Sequence, residues 1–127
     1  MAKVLGVGGL FIKTGDADAL REWYARVLGI SFMDWGGAWF PAADFAAHPG
    51  AGTVVAPMSE DELASPGHAF RFNLVVDDLD GVLARCKAHG VEPVQLFPDD
   101  FNGRFAHILD PEGRKIELWQ PKPISAG

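Results

Sequence analysis

Apolar positions recur at two different periods along this chain, and the alternation between the periods lays out its elements. In "DADALREWYARVLGI" the residues Leu20, Trp23, Tyr24, Val27 and Leu28 return at helical spacing. That stripe predicts a helix over about 17–28, capped by Asp16 at its start and Gly29 at its end. A second stripe, Leu79, Val82, Leu83 and Cys86 in "DDLDGVLARCKAHGV", predicts a helix over about 79–89. Asp77 or Asp78 opens it and Gly90 closes it. Short runs rich in β-branched and aromatic residues, separated by Gly, Pro and Asp, read as strands. "GGLFI" precedes the first helix, and "ISFMDW", "AWFPA" and "GTVVAPM" follow it. "FNLVV" precedes the second, and "EPVQLFP", "RFAHIL" and "KIELWQ" follow it. "AADFAAHPGAG" reads as a loop or hairpin end, and "DDFNGRF" as either a mobile lid or a plain hairpin turn.

The two halves share one plan. Asp16 and Asp77 stand 61 residues apart, as do Gly29 and Gly90. An offset near half the chain length is the mark of an internal duplication. The predicted class is α+β: two βαβββ modules, each a strand, a helix and three strands, sharing one sheet system. Module one covers 5–58 and module two 68–121, joined by the polar linker "SEDELASPG" at 59–67.

Composition narrows the function. A chain of 127 residues, 48% hydrophobic and 22% charged, makes one globular domain. Its net charge of −6 and its lack of a Lys/Arg cluster exclude attraction to nucleic acid or an anionic membrane. No segment has the ~20 apolar residues that span a bilayer. "VLGVGGLFI" follows Lys3 like a secretion signal, but it is short and Gly-rich, and it reads as a buried strand. One cysteine, Cys86, allows no internal disulfide, which fits the cytoplasm. No Cys/His pair has zinc-site spacing.

Three segments, "DADALREWYARVLGI", "VVDDLDGVLARCKAHGV" and the terminal "DPEGRKIELWQP", together resemble the vicinal oxygen chelate superfamily of glyoxalases, extradiol dioxygenases and bleomycin-resistance proteins. The resemblance spans about 5–121. It implies that the two modules form curled mixed sheets around a small-molecule cleft, and it implies homodimers. In metal-bearing relatives it also implies a divalent ion held by inward-facing His and Glu, among them the Glu of the final motif, here Glu117. The other ligand positions depart from that pattern: they fall on Gly9, on Val55 and on Arg71, a cation. Glu117 is therefore expected to pair with Arg71, with Asn73 on the same face, and no cofactor is expected. If a metal is present, its ligands are Glu117 with His68 or His107.

The expected function is binding or transformation of a small organic molecule. Glu117 is the candidate general base, with Arg71, Asn73, Trp119, Phe11 and His107 as ligand contacts. A metal-dependent lyase, isomerase or dioxygenase, and a stoichiometric sequestering protein, are the alternatives.

Overall fold

A computed structural model describes residues 2–122. Its regular elements, in order, are α1 (Ala17–Leu28), α2 (Ala42–Ala46), α3 (Glu60–Leu63), β1 (Phe72–Val75), α4 (Leu79–Ala88), β2 (Gln95–Leu96), β3 (Gly103–Leu109) and β4 (Lys115–Pro121). Both long helices begin on the side chains their sequence supplies. The Asp16 carboxylate accepts from the Ala19 N–H, and that of Asp78 from the Gly81 N–H. At the other end of α1, Gly29 adopts φ 71°, a left-handed geometry that only glycine takes without strain.

The four strands form one curled, unclosed mixed sheet in the order β1-β4-β3-β2. β1 runs parallel to β4, and the other two pairings are antiparallel. This is the βαβββ plan, built by the second half of the chain. Alternation puts Phe72, Ile108, Ile116 and Leu118 on one face of the sheet, where they are buried with Leu20, Tyr24 and Val27 of α1 and with Leu79 and Cys86 of α4. Burial also raises the pKa of the Cys86 thiol.

The strands expected in the first half are not laddered among the described residues. The reason is the allegiance of α1. Its apolar stripe is already spent on the second-half core, against α4 and with Tyr24 stacked on Phe72 of β1 at 6.4 Å, so it offers no apolar face to a sheet of its own. The segment expected as a buried first strand is instead without regular structure and open to solvent, with Leu5 89% and Phe11 87% exposed. Two short helices also replace expected irregular chain: α2 within "AADFAAHPGAG", and α3 within the linker, capped by Ser59 Oγ. No helix among the described residues is long and apolar enough to cross a membrane.

Candidate functional site

The face of the sheet turned away from the helices carries polar chemistry in its middle. Register alone creates the arrangement. Asn73 on β1 lies opposite Glu117 on β4, which lies opposite His107 on β3, which lies opposite Gln95 on β2. These four residues form a row across the sheet, perpendicular to the strands. Two residues further along, Val75, Trp119 and Phe105 make a parallel apolar row, about 7 Å away given the strand rise.

Within the polar row the contacts are specific. Asn73 Nδ2 donates to Glu117 Oε1 at 2.9 Å, and His107 Nε2 meets Glu117 Oε2 at 2.7 Å. The side chain of Glu117 is 19% exposed and that of His107 only 5%. Burial alone would push the Glu117 carboxyl up. The hydrogen bonds from His107 and Asn73, helped by the nearby Arg71 charge, outweigh it and hold the group below the usual carboxylate range. Phe97 stands edge-on to the imidazole, with centroids 4.8 Å apart. In the neighbouring row, Phe105 and Trp119 stack at 6.0 Å with their planes 5° apart.

A pH dependence follows from the depressed Glu117 value. A carboxyl with a lower pKa folded than unfolded stabilises the fold above the unfolded value, about 4.3 for Glu. That contribution disappears as the pH falls through the folded value. Urea unfolding of the wild type and of Glu117→Gln, repeated from about pH 7 down to about pH 3, should show stability falling less steeply with acid in the variant. Equal slopes would mean that the pairing is not formed in solution.

The expected ion pair between Arg71 and Glu117 is not formed. Arg71 precedes the first laddered residue of β1, and its guanidinium turns to the end of α3, where Nη1 donates to the Leu63 carbonyl at 3.1 Å. Lys115 Nζ holds the next carbonyl, Ala64, at 2.7 Å. Of the named contacts, the sheet brings Asn73 and His107 to Glu117 and sets Trp119 one row away, while Phe11 stands exposed on the N-terminal segment. His68 lies beside Gly113, four residues up the chain from Glu117. The loop "DDFNGRF" is the hairpin turn of its two readings, not a lid. Asp100 and Gly103 exchange backbone hydrogen bonds around Phe101–Asn102, and Trp119 Nε1 pins the Asn102 carbonyl at 2.8 Å.

The residues do not fit the divalent ion that the superfamily pattern implies. Both Glu117 oxygens are engaged by protein donors, position 9 offers only a glycine, and Val55 is 78% exposed and apolar. Among the described residues no group of three or more His, Cys, Asp or Glu side chains is placed to hold a metal.

One polar cluster escaped the sequence reading. The turn after β3 is far from ordinary, because Asp110 at its head is a buried hub. Its Oδ2 accepts from Tyr24 OH at 2.9 Å and from Arg114 Nη1 at 3.0 Å. Its Oδ1 accepts from the Glu112 and Arg114 N–H groups. Arg114 also donates to the Lys13 carbonyl, and Thr14 Oγ1 donates to Glu112 at 2.6 Å. Burial and the Asp110 carboxylate push the Tyr24 phenol well above its usual range. The signal was present: Tyr24, the only tyrosine of the chain, sits in the apolar stripe of α1, where its hydroxyl needs a buried partner.

Residues 6–118 match the family model described as the Glyoxalase/Bleomycin resistance protein/Dioxygenase superfamily. Among solved structures, TioX from Micromonospora sp. ML1 is 19% identical with a TM-score of 0.52, covering 89% of this chain and 94% of that one. TnmS3, an antibiotic binding protein from Streptomyces sp. CB03234, is 19% identical with a TM-score of 0.53, covering 87% and 91%. At these identities the likeness concerns the fold. No curated protein matches the chain.

Proposed function

The chain belongs to the glyoxalase/bleomycin resistance protein/dioxygenase superfamily, and from that premise we propose that it binds a small, partly aromatic organic molecule on the Glu117 face of its sheet without a metal ion. The observation that carries this reading is the Asn73–Glu117–His107 row beside the Phe105–Trp119 stack. A few oriented polar groups against aromatic walls are what a small-molecule site requires. The printed description of TnmS3 as antibiotic binding supports the same class of ligand. Its work is stoichiometric capture, in the reducing cytoplasm that a free Cys86 suits.

The test is a panel of planar aromatic compounds, antibiotics among them, followed through the Trp119 indole N–H resonance. At least one should bind more tightly than about 1 mM and be recovered chemically unchanged. A panel with no binder overturns the proposal. A compound recovered altered, with the change abolished in Glu117→Gln, replaces capture with catalysis and makes Glu117 the general base. Stoichiometric Zn, Ni, Mn or Fe in protein purified without chelator would overturn the metal-free reading.

We propose further that the chain works as a homodimer. Leu5, Phe11 and Val55 are exposed large apolar side chains of the first half, and a second copy would bury such surface favourably. Light scattering should give twice the chain mass, and a monomeric mass would refute it.

A further inference from the structure

Each Glu117 oxygen already has a protein donor, one from Asn73 and one from His107. The buried polar atom left over in the row is His107 Nδ1, which has no hydrogen-bond partner. Buried polar atoms are rarely left so, and an orphan calls for an explanation. The pairing with Glu117 also fixes what this atom is. An ionised carboxylate only accepts, so the imidazole proton sits on Nε2, and in the neutral ring Nδ1 presents a lone pair. Asn73 in turn holds the other oxygen of Glu117, so the ring is oriented by two residues behind it.

We infer that His107 Nδ1 is the ligand-reading atom of the face: it accepts a hydrogen bond from a hydroxyl or N–H carried on the aromatic part of the bound molecule. Glu117 and Asn73 are positioning residues that keep the proton on Nε2 and the lone pair on Nδ1. The inference rests on the binding reading above and narrows its ligand class to aromatic donors such as phenols. Phe105 is two residues from His107 on the same strand and face, so a ring whose hydroxyl meets Nδ1 has the Phe105–Trp119 stack about 7 Å away to lie along. Nδ1 is buried in the free protein, so a donor reaches it only as a neighbouring side chain moves, and the Phe97 ring stands edge-on to the imidazole at 4.8 Å. An analogue with the donor removed leaves the orphan unpaired and is rejected.

The test uses the full chain with 15N-labelled histidine, and phenol against anisole as probes. In the free protein the His107 ring should show protonated Nε2 and bare Nδ1. Phenol should shift the Nδ1 resonance, and anisole should bind at least about tenfold more weakly with no such shift. In Glu117→Ala the Nδ1-protonated tautomer should appear and the preference for phenol should shrink. Glu117→Gln, which keeps an acceptor oxygen, should preserve more of both. A protonated Nδ1 in the free wild type overturns the inference. So does phenol binding that moves the Trp119 indole as strongly as anisole while leaving His107 still, although the site itself would then stand. Silence of both resonances toward both probes overturns it as well, and the site then stands or falls on the wider panel.

Discussion

Asp110→Ala will cost the fold about 3–5 kcal/mol, the range for removing one partner of a buried ion pair. The side chain is 0% exposed and accepts four hydrogen bonds. Its loss strands the Tyr24 hydroxyl, two backbone N–H groups of the turn, and a nearly buried Arg114 left with Glu112 at 3.3 Å as its remaining carboxylate. Total stabilities of small domains are about 5–15 kcal/mol, so the variant should be marginal. Its midpoint should fall on the order of 10–20 °C in thermal melts. Tyr24→Phe removes one hydrogen bond from the same hub and should cost only about 1 kcal/mol. In the double variant the Tyr24 cost should largely vanish, because the acceptor is already gone. Full additivity, or an Asp110→Ala cost below about 1 kcal/mol, would show that the hub is not closed in solution.

Gly103→Ala should be the second most damaging single change, and it should reach the ligand face. A Cβ at this position would stand 2.3 Å from the Gln120 carbonyl oxygen, 2.8 Å from Trp119 Nε1 and 3.1 Å from the Pro121 Cα. Two of those three atoms are backbone of β4 and cannot swing aside. The residue also holds φ 131°, which a side chain resists. Steric displacement and backbone strain together should cost about 3 kcal/mol. The signature lies in where the damage appears. The Trp119 indole would lose its bond to the Asn102 carbonyl and its resonance should move, while the α1 amides far from β4 should not. A variant as stable as wild type with an unmoved indole would contradict the packing described for this corner.

Much of this was legible in the chain, and the parts that were not have identifiable causes. α1 was readable to the residue because cap, stripe and terminal glycine agree. The strands of the second half were readable because β-branched runs alternate with clear breakers. The capping pair Ser59 and Glu62 announced α3, but its acidic run looks like a solvated linker. Pattern could not reveal that α1 packs on the second-half sheet, since an apolar stripe does not name its partner. At the site, the superfamily's ligand pattern places Arg71 opposite Glu117, although β1 becomes a strand only after Arg71. Hairpin symmetry was the better guide. His107 and Glu117 each stand five residues from Glu112, so any turn centred there makes them neighbours.

The order of assembly follows from how far apart in the chain these contacts are. The β3–β4 hairpin closes over a short turn and brings His107 to Glu117 at little entropic cost. Asn73 joins Glu117 across 44 residues, Tyr24 reaches Asp110 across 86, and Arg114 reaches Lys13 across 101. Contacts of such separation form late and slow the search. The acid–imidazole pair is therefore expected to assemble early and locally, and the Lys13–Thr14 segment to dock last. In a nascent chain that segment would stay unattached until Arg114 had been synthesised.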